Sequence, residues 1–151
     1  MANQSPILHV EDREEDVFLM NYAFKRADIK LPVHVAEDGQ KAIDYLAGAG
    51  QFADRERYPI PCLVLLDLQL PFKTGLEVLS WLRQQPSLKS LIVIVLTSSI
   101  FEGDVRRAYE LGANAFLVKP SSAEELVRMC RALKDFWLVH NHMPIECSRP
   151  N

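Results

Sequence analysis

The sequence has few cysteines and no excess of positive charge. Its 151 residues include three cysteines, Cys62, Cys130 and Cys147, an odd number with no C-x-x-C pair. Cys62 and Cys130 lie in apolar runs, so we expect buried thiols rather than disulfides or a zinc site. Lys and Arg number 17 against 20 Asp and Glu, a net charge of −3. With no basic excess to match a phosphate backbone, the chain is not expected to bind nucleic acid.

Long hydrophobic runs and export signals are also missing. No apolar run approaches the roughly 20 residues that a membrane span needs, so we expect no membrane partner. Residues 1–6 lack the basic and apolar regions of a signal peptide, which predicts a cytoplasmic location. Apolar residues make up 48% of the chain and charged residues 25%, as in ordinary folded proteins. The length predicts about one domain with a substantial core.

Five short apolar runs are each followed by a helical pattern. The runs are near-continuous, as in strands buried on both faces of a parallel sheet. They are residues 7–10, 33–36, 62–66, 91–96 and 115–118. Their alternation with helices predicts an α/β doubly wound parallel sheet with right-handed crossovers. Gly112 predicts the end of the fourth helix. Ser121 and Glu124 have capping-box spacing and predict the start of the fifth. His9, in the first run, is expected to be a hydrogen-bonded core or edge histidine.

Polar residues that could carry chemistry follow four of the five runs. Glu11 and Asp12 follow the first run, Asp67 the third, Thr97 the fourth and Lys119 the fifth. In open α/β sheets, ligands bind outside the carboxyl ends of the strands. We therefore expect these side chains to meet at one edge of the sheet. Each has a common structural role when taken alone, as a turn or cap residue, and only their coincidence at one edge predicts a site.

Three carboxylates that converge on one crevice repel each other unless a cation offsets their charge. A hard divalent cation suits oxygen ligands, and Mg²⁺ typically binds one or two carboxylates and keeps several waters. A carboxylate can also act as a nucleophile and form an aspartyl phosphate. Mg²⁺, Lys119 and the hydroxyl of Thr97 would then stabilise the phosphoryl oxygens. The constellation thus favours phosphoryl transfer to a carboxylate.

At this point the sequence resembles the CheY-like receiver domain of two-component response regulators. The resemblance covers residues 5–138 and rests on the segments ILHVED, LVLLDLQLP, IVIVLTSS and GANAFLVKP. It includes spacing, because Asp67 precedes Thr97 by 30 residues and Lys119 by 52. It implies a flavodoxin-like (βα)5 fold with strand order 2-1-3-4-5. The receiver domain is expected to span residues 1–140, followed by a C-terminal tail over 141–151.

The resemblance implies a role in phosphoryl chemistry for three residues and a role in switching for a fourth. Asp67 would be the phosphoacceptor, Thr97 would hydrogen-bond the phosphoryl group, and Lys119 would pair with it. Phe116 matches the switch aromatic, whose rotamer changes when Thr97 moves. The peptide between Lys119 and Pro120 is expected to be cis, an isomer that X–Pro bonds permit.

The same resemblance implies a Mg²⁺ site. Asp12 would be a direct ligand, Glu11 would act mainly through water, and Asp67 would contribute its carboxylate. The backbone carbonyl of Gln69 would complete the share of the metal shell that the protein supplies.

Two additions resemble a particular subgroup, the stand-alone receivers that serve bacterial phytochromes, notably the cyanobacterial type. Residues 47–61 are longer than a plain receiver needs and are expected to form an exposed extension of the second helix and its loop. The fifth helix continues into Asp135–Leu138. The subgroup forms homodimers through the side of helices four and five. Phe136 is a candidate dimer contact or a residue packed within the monomer, whereas Trp137 is expected to pack within it.

The function expected from this resemblance is that of a stand-alone response regulator. About a dozen residues follow the fifth helix, so we expect no output domain and signalling through protein contacts. The implied partners are a sensor histidine kinase, with a phytochrome as the candidate, a downstream protein that the sequence does not identify, and a second copy of the chain. Phosphorylation and its reversal would be self-modification, so the protein is not expected to be an enzyme with a separate substrate.

Two other classes share the fold. A pseudo-receiver would act as an interaction module without phosphorylation, but such modules typically lose one of the site residues, and Asp12, Asp67, Thr97 and Lys119 are all present. A phosphatase with an aspartyl nucleophile would carry a second acid two residues after it. Gln69 occupies that position here, so no general acid is supplied.

Overall fold

Five parallel strands form one sheet in the computed structural model, which describes residues 4–98 and 100–144. The strands are β1 (Ile7–Val10), β2 (Val33–Ala36), β3 (Leu63–Leu66), β4 (Ile92–Thr97) and β5 (Ala115–Val118). They are hydrogen-bonded in the order β2-β1-β3-β4-β5, and every neighbouring pair is parallel. The predicted fold class and strand order are confirmed, with strand ends shifted by one residue in β3 and β4.

Five α-helices connect and follow the strands. They are α1 (Glu14–Arg26), α2 (Gly39–Ala47), α3 (Gly75–Gln84), α4 (Glu102–Glu110) and α5 (Ala123–Leu133). A short 3-10 turn, Gly50–Ala53, follows α2, and a π-helical segment, Lys134–His140, continues α5. Gly112 follows the end of α4 with a φ of +102°, as predicted for the residue that ends it. Within the described ranges, no helix combines the length and apolarity needed to cross a bilayer.

The cap of α5 differs from the prediction by one residue. Ser122, not Ser121, precedes the helix with extended backbone angles, and its side chain accepts a hydrogen bond from the backbone N–H of Glu125 at 3.2 Å. The sequence contains two serines followed three residues later by two glutamates, so the capping-box spacing fits either frame. The pattern located the helix start and could not choose between the frames.

The sheet separates two apolar cores. One face packs against α2, α3 and α4, and its core includes Leu8, Val10 and Tyr45. The other packs against α1 and α5, and its core includes Ile7 and Phe24. Successive residues of β1 point to opposite faces, so each strand contributes to both cores. The sheet is covered on both sides, and loops form its carboxyl edge.

The cysteines only partly follow the prediction. Cys130 is a free thiol with no solvent exposure, and burial raises its pKa to about 12. Cys62 is buried as expected, but it is disulfide-bonded, so the prediction of a thiol is wrong at this position. Cys147 and most of the predicted tail lie outside the described residues. The odd number of cysteines was a weak argument, because one pair still leaves one cysteine free.

The segment after α2 is more closely packed than its composition predicts. Phe52 and Tyr58 contact the ring of Tyr45, with centroids 5.2 and 5.9 Å away. Arg55 donates hydrogen bonds to the carbonyls of Tyr45 and Leu46 at 2.7 and 2.8 Å. These carbonyls lie at the end of α2, where the regular helical pattern of N–H donors stops, and the carbonyl of Tyr45 also accepts the N–H of Gly48 at 3.2 Å. The segment therefore closes α2 and adds to the core, and the expectation of an exposed extension is wrong for these residues.

The helical continuation after α5 agrees with the sequence. Trp137 is partly buried and packs against the core on the α1–α5 face, as predicted. Phe136 contacts Trp137 edge to face but remains 56% exposed. Of the two alternatives for Phe136, packing inside the monomer is therefore not supported by the structure.

Gly75→Ala should destabilise the protein by about 2 kcal/mol, since a methyl group that forces the backbone to move has a cost of that order. A Cβ at position 75 would lie 2.2 Å from the carbonyl oxygen of Asp67 and 2.6 Å from the Cα of Leu68. Urea denaturation followed by circular dichroism measures the change.

Gly103→Ala is the matched control. Gly103 also lies in the first turn of a helix, but nothing is within 4 Å of the added Cβ. Alanine is the better helix former, so this variant should gain up to about 1 kcal/mol. Equal effects of the two substitutions would contradict the close approach of α3 to the end of β3.

Candidate functional site

Asp67 lies directly after β3, and neighbouring elements hold both of its carboxylate oxygens. Its Oδ1 accepts hydrogen bonds from the Thr97 hydroxyl at 3.2 Å and from the backbone N–H of Gln69 at 3.0 Å. Its Oδ2 accepts from Nζ of Lys119 at 2.9 Å. The side chain is only 7% exposed. The three residues expected to carry phosphoryl chemistry, Asp67, Thr97 and Lys119, thus meet at one edge of the sheet.

Lys119 is the positive centre of this cluster. Besides Asp67, its Nζ donates to Glu11 and, at 2.9 Å, to Asp16. Burial acts to lower the pKa of Lys119, but the hydrogen bonds to Glu11, Asp67 and Asp16 outweigh it and raise the pKa above its ordinary value. The side chain is therefore a stable cation, which is what a site that holds negative oxygens requires.

Asp16 is a site residue that the sequence reasoning missed. It stands in the first turn of α1, after Glu14 and Glu15. Acidic residues are common in this position because they interact favourably with the helix dipole, so a run of three predicts nothing more specific. The available signal was its location just beyond the end of β1, the edge to which the other polar residues were assigned.

Glu11 and Asp12 differ in environment. Glu11 is 1% exposed and accepts hydrogen bonds from the backbone N–H groups of Asp12 and Arg13 at 3.1 and 3.3 Å, whereas Asp12 is exposed. Burial raises the pKa of Glu11 to about 7, and the charge of Asp67 adds to this effect while the hydrogen bond from Lys119 opposes it.

The acidic residues are close enough to share a cation. One carboxylate oxygen from each of Glu11, Asp12 and Asp67 lies within 4.8 Å of the others. Three carboxylate groups supply the hard oxygen donors that a divalent cation such as Mg²⁺ or Mn²⁺ prefers. The structure shows Gln69 donating its N–H to Asp67. The expected metal role of its carbonyl stays a prediction.

His9 lines a small cavity together with Lys119, and it lacks the hydrogen bond that was predicted for it. It is 3% exposed, and its Nδ1 has no hydrogen-bond partner among the described residues. The ring lines a cavity of about 40 Å³ together with Glu11, Asp16 and Lys119. Burial, followed by the charge of Lys119, lowers its pKa to about 4, so it is neutral near pH 7. The expectation of a hydrogen-bonded histidine is wrong because the carboxylates of Glu11 and Asp16 that share this cavity are paired with Lys119 and not with His9.

Phe116 and Thr97 lie on adjacent strands. Val95 pairs with Phe116 and Thr97 with Val118, so Thr97 and Phe116 project from the same face of the sheet, two residues apart in register. Phe116 is partly buried against the core on the α2–α4 side. The arrangement allows a movement of one side chain to affect the space available to the other.

The peptide between Lys119 and Pro120 is trans, so the expectation of a cis bond is wrong. The two isomers of an X–Pro bond differ by only about 0.5–1 kcal/mol, which the local sequence does not decide.

Comparison with known proteins agrees with this geometry. A sequence model described as the response regulator receiver domain matches residues 7–131. The chain is 39% identical over 132 residues to the response regulator Rcp1 of Synechocystis sp., covering 87% of this chain and 88% of Rcp1. It is 38% identical over 141 residues to the probable methanogenesis regulatory protein FilR2 of Methanothrix harundinacea, covering 91% and 86%.

Solved structures are similar over nearly the whole chain. The phosphorylated cyanobacterial phytochrome response regulator RcpA superposes with a TM-score of 0.87 at 33% identity, covering 94% of this chain and 99% of RcpA. The Mn²⁺-bound form of Rcp1 superposes with a TM-score of 0.83 at 38% identity, covering 93% and 99%. One relative has thus been observed with a phosphoryl group and another with a divalent cation.

Lys119→Met should lower the free energy of unfolding by about 3 kcal/mol at pH 8 in EDTA, since removing one partner of a buried ion pair leaves its counter-charges unpaired. The side chains of Glu11 and Asp67 are 0% and 7% exposed and would lose their shared cation. Equilibrium urea denaturation gives the value.

Lys41→Met serves as the control for loss of a lysine. Lys41 pairs with Glu37 on the surface, where both side chains are at least half exposed, so its removal should change stability little. A small effect of both substitutions would show that Lys119 does not hold the cluster together.

Proposed function

This chain belongs to the response regulator receiver domain family, and we propose that it is a switch in which Asp67 accepts a phosphoryl group from a sensor histidine kinase. Membership implies two-component signalling and a histidine kinase partner. The observation that supports the acceptor assignment is the position of Asp67, held between the Thr97 hydroxyl and the Lys119 ammonium beside Glu11 and Asp12.

In the proposed reaction, a carboxylate oxygen of Asp67 attacks the phosphorus of a phosphohistidine. The new O–P bond forms as the P–N bond breaks, and the histidine imidazole leaves with the electron pair of the P–N bond. Lys119 pairs with the phosphoryl oxygens, and the Thr97 hydroxyl donates a hydrogen bond to them. The N–H of Gln69 fixes the rotation of the Asp67 carboxylate before transfer.

The carboxylates fit a divalent cation, which we propose is Mg²⁺. Asp12, Asp67 and the carbonyl of Gln69 would hold it, with Glu11 acting mainly through water. When bound, the cation would neutralise charge on the transferring group. The charge of Asp12 is already exposed to solvent at the rim, so this residue can take part in binding without breaking a buried contact.

Phosphorylation would be transmitted by Thr97 and Phe116. The phosphoryl group adds negative charge and strong acceptor oxygens. Thr97 would move toward it, and Phe116, on the same face of the adjacent strand, would fill the space released. The surface formed by α4, β5 and α5 would then favour one of two arrangements, which is the output we propose.

We also propose that the protein acts as a single-domain regulator whose output is protein contact. The relatives Rcp1 and RcpA are covered over 88% and 99% of their length. RcpA is a phytochrome response regulator, which supports a phytochrome as the kinase partner. The complete set of site residues disfavours the pseudo-receiver alternative. Self-modification without a separate substrate, the receiver span of residues 1–140, the tail over 141–151 and the cytoplasmic location stay predictions.

Incubation with acetyl phosphate and MgCl₂ should add one phosphoryl group to the wild-type chain, because Asp67 is held ready for attack. Intact-mass spectrometry measures the gain. EDTA should abolish it, and Asp67→Asn should remove it because an amide is a poor nucleophile and forms no acyl phosphate.

The partly exposed Asp44, in α2, provides a matched substitution, and Asp44→Asn should be labelled like the wild type. A stable phosphoryl gain on the Asp67→Asn protein would overturn the acceptor assignment.

A homodimer should form through the α4–α5 side, where Phe136, Tyr109 and Val139 are 56%, 50% and 47% exposed. We expect light scattering coupled to gel filtration to give about twice the chain mass of 17.2 kDa. Phe136→Ser should shift the protein toward monomer, since an apolar contact is lost, whereas Phe18→Ser on α1 should not. A wild-type monomer with and without acetyl phosphate would exclude the dimer.

A further inference from the structure

Phe72 combines two unfavourable features beside the site. Its side chain is 85% exposed, more than any other large hydrophobic residue among those described. Its φ is +66°, in the left-handed region that aromatic residues rarely adopt. Among the described residues, it belongs to neither core. Folding alone therefore does not account for an aromatic side chain at this position.

The backbone conformation of Phe72 is imposed by the loop that carries Asp67 into α3. The carbonyl of Pro71 accepts hydrogen bonds from the N–H groups of Lys73 at 2.9 Å and of Gly39 at 3.4 Å. The N–H of Gly75 donates to the carbonyl of Leu68 at 3.0 Å. These contacts fix the path of the chain on both sides of residue 72. Glycine or asparagine would adopt the same φ more easily and expose less apolar surface.

The position of Phe72 relative to the acceptor gives the exposed ring a role. It lies five residues after Asp67, whose side chain is 7% exposed. A phosphohistidine on a protein can reach that carboxylate only if the donor surface covers the surrounding loops. Ile100 and Phe101, which follow the neighbouring strand β4, are 63% and 61% exposed at the same edge. These two residues and Phe72 form an apolar rim around Asp67. A protein donor would bury this rim, whereas a small donor such as acetyl phosphate would not.

We infer that Phe72 is a docking residue for the protein phosphodonor, the histidine-bearing domain of the kinase, and contributes to the choice of that partner. This inference rests on the proposed function and adds the surface by which the donor is selected. The complementary donor surface is an apolar patch beside the phosphohistidine. Aromatic residues are enriched among the residues that contribute most to binding energy at protein interfaces. Phe72 is more exposed than Ile100 or Phe101, so a docked partner would bury the largest fraction of its surface.

The test compares two donors and two substitutions. The protein donor is the autophosphorylated bacteriophytochrome kinase that labels the wild type fastest in a panel of such kinases, and the small donor is acetyl phosphate with MgCl₂. Phe72→Asn removes the ring and suits the positive φ, while Phe72→Tyr keeps both the ring and the backbone constraint.

Phe72→Asn should lower kcat/KM for transfer from the kinase about tenfold, while the rate with acetyl phosphate stays within about twofold. Phe72→Tyr should behave like the wild type with both donors. An unchanged rate with the kinase would overturn the inference, and so would an equal fall with both donors, which would place the effect in the site itself.

Failure of the whole panel to label the wild type, with acetyl phosphate still active, would also reject docking of this donor class but leave Asp67 as the acceptor. Failure of both donors would reject the proposed function.

Discussion

The ammonium group of Lys119 is the interaction on which the arrangement of the site depends. Four acidic residues, Glu11, Asp12, Asp16 and Asp67, converge at the carboxyl edge of the sheet, and two of them are almost fully buried. Without a cation their mutual repulsion and desolvation would oppose the folded state. Lys119 contacts three of them at once and comes from a different strand than any of them. It therefore connects the end of β5 to the ends of β1 and β3 and to α1, so a change in charge at Asp67 would act on all four elements.

This convergence follows from the topology. Because the strands are parallel and buried on both faces, most polar groups of the site stand where a strand ends, and the order β2-β1-β3-β4-β5 places the ends of β1 and β3 side by side. Gly75 completes the arrangement, since its missing side chain lets α3 begin against the carbonyl of Asp67. The loop between them fixes Gln69 and Phe72 together, so the geometry that orients the Asp67 carboxylate also exposes an apolar ring beside it.

The five strands and the convergence of Asp67, Thr97 and Lys119 could be predicted because buried parallel strands have a strong apolar signature and few polar residues follow them. The order of the strands came from the resemblance to receiver domains. What the sequence did not reveal depends on contacts between distant segments. Asp16 looks like an ordinary helix-start acid until Lys119 is placed beside it, and the unpaired nitrogen of His9 reflects which face of β1 meets α1 and α5. Ser121 and Ser122 fit the capping pattern of α5 equally well, and only the backbone angles of the structure identify Ser122 as the cap. The disulfide bond of Cys62 and the trans bond before Pro120 likewise depend on context beyond the local pattern.

The segment that follows α2 limits how far the chain can be shortened at this point. Insertions usually survive as surface loops because nothing else relies on them. Here Arg55 occupies the terminal carbonyls of α2, and Phe52 and Tyr58 cover Tyr45, whose hydroxyl also contacts His34 on β2. Deleting the segment would expose the ring of Tyr45 and remove the hydrogen bonds that Arg55 donates at the end of α2, so the chain cannot be shortened there without a loss of stability. The packing of β2 and α2 thus constrains the length of a segment that lies outside the sheet.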